Sequence, residues 1–177
     1  MKFIRLPLML LLLSTGAFAQ SDAQKSFDKL KALSGVWEGK VTTDMPVAAS
    51  IQNNLMHVTL RTTSRGNALL HEMTSAGTDD PITMFYLDED RLLLTHYCDA
   101  GNRPRMEGKV SPDGKTVEFA FLDVAGSNQH QHMHHAKFTF IDANHHTEDW
   151  IFMLGDNAVH AHFDLRRTGD AGGAAGK

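Results

Sequence analysis

From Val36 onward, apolar and polar residues alternate with a period of two, and the alternation runs almost to the C-terminus. Such a period puts apolar side chains on one face of a strand and polar ones on the other. It predicts strands over 36–43, 53–63, 67–75, 82–87, 91–98, 103–110, 116–122, 131–141, 146–154 and 158–166. Short turn signals separate them. In Ser111-Pro112-Asp113-Gly114-Lys115 the proline presets φ and the glycine takes the left-handed position. Ser64-Arg65-Gly66-Asn67, Asp88-Glu89-Asp90, Asp142-Ala143-Asn144 and Gly155-Asp156-Asn157 mark other short connections, and longer ones fall at 76–81, 98–104 and 123–130. Ahead of the strands, residues 21–33 follow a different rule. Phe27, Leu30 and Leu33 recur every three residues among Lys25, Asp28, Lys29 and Lys31, the single apolar stripe of a short helix that Gly35 ends.

About ten short strands behind one helix predict an all-β fold, a closed antiparallel meander β-barrel with a short N-terminal helix. Closure removes the exposed edges that a long open sheet would leave. A β-sandwich is the alternative, since alternation alone does not separate the two. Parity then assigns faces. Leu92 and Leu94 share one with His96 and Cys98, Val117 with Phe119 and Phe121, and Ala136 with Phe138 and Phe140. If that face is the interior, His160 and His162 point outward, and His130, His132 and His134 point inward unless a bulge intervenes. A barrel of this size holds one small ligand, and polar groups on an apolar wall are the usual make-up of its pocket.

The N-terminus carries a second message. Lys2 and Arg5 precede an apolar run from Leu6 to Leu13, and small residues follow at Ala17 and Ala19. This is the pattern of a cleavable secretion signal over 1–19, too short to span a bilayer. It predicts an exported, periplasmic or secreted protein, with a barrel domain over 20–168 and a disordered glycine- and alanine-rich tail over 169–177. The chain has 17 basic and 21 acidic residues. Two of the basic ones lie in the leader, so the remaining domain is net acidic, which argues against nucleic acid or an anionic membrane surface as partner. No later segment is apolar enough for stable membrane insertion. The single cysteine, Cys98, excludes an internal disulfide and is expected to be buried.

Gly35-Val36-Trp37 behind a helix, with Arg166 and Arg167 at the end of the last strand, resembles the lipocalin-like (calycin) barrels. In that group the tryptophan closes one end and the arginine packs over it, so the resemblance implies the same structural pair here. Gly35-Val36-Trp37-Glu38-Gly39 is also similar to the opening of nitrobindin-type haem-binding barrels, whose iron is held by a histidine near the C-terminus. That likeness implies haem, with His160 or His162 as the matching position. Leu94-Thr95-His96-Tyr97-Cys98, Gly101-Asn102-Arg103-Pro104-Arg105-Met106, His132-Met133 and His145-His146-Thr147-Glu148-Asp149-Trp150 look like segments of exported, uncharacterised bacterial domains of this barrel type. They imply fold and export and bring no activity.

All 11 histidines follow the leader. Alternate histidines on a strand place two imidazoles on one face roughly 7 Å apart. His130, His132 and His134 are therefore candidate ligands for Zn²⁺, Cu²⁺ or Ni²⁺, with Glu148 and Asp149 available to orient them. Catalysis has a weaker basis: Tyr97, His96, Asn102, Arg103 and Arg105 cluster around one strand and loop, and Glu72 can face them. No nucleophile elbow, phosphate loop or zinc-protease helix accompanies them. The reading that follows is a barrel binding a small, partly apolar ligand without transforming it. Phe119, Phe121, Phe138, Phe140, Leu92 and Leu94 would wall the pocket, and His96, His132, His134, Tyr97 and Arg105 would supply polar contacts. The alternatives are a metal- or haem-binding barrel built on the histidine cluster, and a small hydrolase or isomerase.

Overall fold

The computed structural model describes residues 20–44, 55–74 and 81–171. The predicted leader, most of the 76–81 loop and residues 172–177 of the tail lie outside them. Helix α1 (Asp22–Lys31) precedes ten strands: β1 (Gly35–Thr43), β2 (Met56–Thr63), β3 (Ala68–Thr74), β4 (Ile82–Asp88), β5 (Arg91–Tyr97), β6 (Asn102–Val110), β7 (Thr116–Gly126), β8 (Gln131–Asp142), β9 (His145–Leu154) and β10 (Asn157–Gly169). Each pairs antiparallel with the next, and β10 returns to β1, so one closed sheet contains all ten. Two packed sheets, the alternative from the sequence, are not formed. Strand β7 runs four residues past its predicted end, because β6 continues beyond a bulge at Arg105/Met106 and keeps it paired as far as Asn102 opposite Gly126. Strand β10 reaches Gly169, opposite Val36, one residue into the expected tail. Among the described residues no helix is long and apolar enough to cross a membrane.

Local chemistry places the helix. The Ser21 hydroxyl accepts from Gln24 N at 3.2 Å and caps α1, while Ser26 Oγ accepts from Val110 N of β6 at 3.1 Å. The stripe of Phe27, Leu30 and Leu33 is buried in the barrel core, so α1 plugs one end. Trp37 is fully buried beside it and donates from Nε1 to the Leu33 carbonyl at 2.8 Å. Arg167, not Arg166, covers the indole, with its guanidinium carbon 4.2 Å from the ring centroid. Its nitrogens donate to the carbonyls of Ser34, Ala32 and Ala143, tying the helix end, the entry to β1 and the β8–β9 turn together.

Above this plug the interior is solid. Phe85, Phe119 and Phe138 are fully buried and lie 5.4–6.1 Å apart, centroid to centroid, in tilted and edge-on pairs. Gly108 makes room for them: a Cβ there would come within 2.4 Å of the Phe119 ring. The opposite end of the barrel, where β5 meets β6 and β9 meets β10, carries no helix among the described residues and is called the open end below.

Candidate functional site

Beside the aromatic layer, from Trp37 at the plugged end toward the other end of the barrel, runs a band of buried polar side chains. On β9 the inward positions are His146, Glu148 and Trp150, all nearly or completely buried. Glu148 accepts from His71 Nε2 (3.1 and 3.0 Å), His146 Nε2 (3.0 Å) and Trp150 Nε1 (3.0 Å). A carboxylate accepts and cannot donate, so both imidazoles carry hydrogen on Nε2. Burial by itself would raise the Glu148 pKa. The neighbouring His71 and the hydrogen bonds from His146 and His71 outweigh that and hold it below the ordinary carboxylate range. The Nδ1 atoms of His71 and His146 are buried and have no hydrogen-bond partner among the described residues.

His71 opposes Thr83, and Thr83 opposes His96, so three adjacent strands place one row of polar side chains on the inner wall. His96 Nδ1 lies 2.8 Å from Thr83 Oγ1, and the His96 ring sits 5.8 Å from Trp150. Burial, reinforced by His71, lowers the His96 pKa to about 4, so its imidazole is neutral at pH 7. Above it opens a cavity of about 490 Å³ whose lining is largely apolar (Met133, Phe152, Leu154 and Val159 among others) and includes His96, Cys98 and the carboxylate of Asp99. Cys98 is half-buried rather than buried as expected. Desolvation pushes its thiol up to about 11, so it stays protonated and a poor nucleophile.

The neutral His96 has a measurable consequence. The unfolded chain takes up a proton at His96 near pH 6.5, whereas the folded chain resists until about pH 4. Stability therefore falls as pH drops through that window, by about 3 kcal/mol at most. Urea unfolding of His96→Gln between pH 7 and 4 is expected to show a flatter profile by that amount. An equally steep decline in the variant would mean that His96 is not buried neutral. His134, whose pKa is also lowered, adds a smaller contribution of the same sign to both proteins.

Of the ligand-binding residues proposed from the sequence, His96 alone lines this cavity, beside Cys98 of the same face. Phe119 and Phe138 belong to the solid layer beneath, with Leu92 and Leu94 buried in the same core. Tyr97 is 47% exposed, on the outer face. Arg105 is also outside, paired with Asp123. Glu72 lies opposite in parity to the buried His71 and Met73, so it faces away from His96. Phe140 is half-buried under Lys29 near the plugged end. Phe121 stacks on His134 and touches His132, and this trio is partly exposed. Continuous parity misplaced these histidines because β8 carries an extra residue between Met133 and His135, which turns Met133 into the cavity.

His130 is exposed, and the described residues contain no group of three His, Cys, Asp or Glu side chains placed to hold a metal. The triad His130, His132 and His134 is thus not assembled. His160 and His162 lie on the outer wall, where His162 Nδ1 meets Asp149 at 2.6 Å, so neither fits the role of a haem ligand inside the barrel. Alternation could have pointed to His71 through Leu69 and Met73. Strand β9 offered less, because His146 and Glu148 alternate with the equally polar Thr147 and Asp149.

The sequence matches no protein-family model and no curated protein. The fold is similar to the crystal structure of Rv2717c from M. tuberculosis, with a TM-score of 0.56 and 14% identity over 81% of this chain and 97% of that one. A protein of unknown function from the DUF3598 family of Nostoc punctiforme aligns over 81% of this chain and 99% of that one. Its identity is 7% and its TM-score 0.25. The first likeness concerns the fold alone.

Proposed function

We propose that this barrel binds a small, partly apolar molecule in the cavity at its open end, with His96 as the polar contact, and releases it unchanged. The observation that carries this reading is a neutral, buried imidazole on the wall of an otherwise largely apolar cavity of about 490 Å³. Thr83 engages Nδ1, and no other described residue bonds Nε2, which leaves that nitrogen for a ligand's polar group. Binding rather than turnover fits the rest of the lining. The cavity's thiol is protonated and donates to the carboxylate of Asp99, itself a lining residue, so it is held as a donor and not activated as a nucleophile. The leader pattern supports export, so the ligand would be met in the periplasm or outside the cell.

Two measurements test this. Native mass spectrometry of protein purified from its own periplasm is expected to show a retained small molecule. Titration with 1-anilinonaphthalene-8-sulfonate is expected to saturate at one site per chain. Val159→Trp, which fills the cavity, should weaken that binding more than about tenfold. His96→Phe should weaken a ligand with a matching polar group by about tenfold, the worth of one buried hydrogen bond. Probe binding untouched by Val159→Trp, with no retained molecule, would place function elsewhere.

A further inference from the structure

Two histidines at the rim of the open end have a geometry that the cavity reading leaves unused. At the β8 bulge the rings of His132 and His134 approach until Nε2 of the first lies 3.2 Å from Nδ1 of the second. Phe121 packs on both, 4.8 Å from His132 and 4.6 Å from His134, which holds the pair in place. His132 Nδ1 lies 2.7 Å from the Gln129 carbonyl. A carbonyl only accepts, so Nδ1 carries the hydrogen and Nε2 presents a bare lone pair. The hydrogen between the two rings then belongs to His134, whose other tautomer frees its Nδ1 as well.

The same separation suits two nitrogens that share a transition-metal ion once the hydrogen between them is displaced. Two imidazole nitrogens, each about 2.05 Å from one ion, stand roughly 3.3 Å apart on a tetrahedral ion and roughly 2.9 Å apart in cis positions on a tetragonal one, and the observed 3.2 Å lies between the two. A metal-bound histidine also commonly donates its other N–H to a carbonyl, as His132 already does. His160 and His162 provide an internal comparison. They have the same spacing on β10, but His162 Nδ1 is engaged by Asp149 and no contact among the described residues joins their rings.

We propose that His132 and His134 form a two-histidine site for an imidazole-preferring divalent ion, Cu²⁺ ahead of Ni²⁺ and Zn²⁺. His130 is not part of it. With no third protein side chain of the ligating types grouped there among the described residues, water completes the coordination, and the ion keeps open positions. Both histidines are half-buried, so solvent reaches them.

The test is calorimetric titration of the metal-stripped protein with each ion in turn. The comparison set is His132→Gln, His134→Gln, His130→Gln and the double variant His160→Gln/His162→Gln, with circular dichroism confirming the fold. One ion per chain is expected, with Cu²⁺ tightest. Affinity should fall more than about tenfold in each of the first two variants and change less than about twofold in the others. Absence of saturable binding, or binding that survives both His132→Gln and His134→Gln, overturns the proposal. If either variant fails to fold, Cu²⁺-induced broadening of imidazole resonances in the unmodified protein decides: broadening centred away from His132 and His134 overturns it too.

Discussion

Replacing Glu148 with glutamine is expected to cost about 3–5 kcal/mol of stability, the range for removing one member of a buried, hydrogen-bonded charge cluster. The substitution keeps the size of the side chain. It exchanges one acceptor oxygen for an amide nitrogen that donates, and it sets that nitrogen either against the N–H groups of His71 and His146, which share Oε1, or against those of His71 and Trp150, which share Oε2. Two donors facing each other in a dry core leave both unsatisfied. The midpoint of thermal unfolding should fall by roughly 10 °C or more. The acid limb should change as well. Glu148 ionises below its ordinary value in the fold, so its contribution is complete above about pH 4.5 and is lost as pH falls toward the folded pKa. The glutamine variant lacks that part of the acid decline. A cost below about 1 kcal/mol would show that the three donors do not depend on a charged acceptor.

The second large effect is expected at the plugged end. Trp37→Ala should destabilise by about 3–5 kcal/mol, because a fully buried indole leaves a cavity that the closed sheet has little freedom to collapse. It also strands the Leu33 carbonyl and removes the faces against which Arg167 and His146 rest. Arg167→Ala should cost less, about 1–2 kcal/mol, since its carbonyl partners lie near solvent. Urea unfolding of both single variants and the double one gives the coupling. A value near 1 kcal/mol is expected for a guanidinium stacked on an indole, and additivity within about 0.3 kcal/mol would mean that the stack contributes nothing.

Strand after strand, the alternation of apolar and polar residues gave boundaries within a few positions, because each strand buries one face and exposes the other. The same rule put His96 inside and His160 and His162 outside. The Trp37–Arg167 pair was legible through a resemblance, with Arg167 rather than Arg166 settled by the register of β10 on β1. Parity failed where a strand is not regular. The β8 bulge turned Met133 into the cavity and gathered His132 and His134 with Phe121 at the rim. It also failed where both faces are polar, as on β9, which hid Glu148 between Thr147 and Asp149.

What the sequence by itself determined is therefore the local and periodic part: ten strands, one helix, their inward faces, and a histidine among apolar neighbours on β5. Those features are set by near neighbours and by a repeat that any paired strand must obey. Only the tertiary structure decided where the interior is full and where it is empty. Phe85, Phe119 and Phe138 come from three strands and meet only once the barrel closes, so the wall foreseen as a pocket is core, and the space lies above it beside His96. Glu148 meets His71 across 77 residues of chain for the same reason. Ring closure sets such encounters by the joint register of ten strands, a quantity that no single segment encodes.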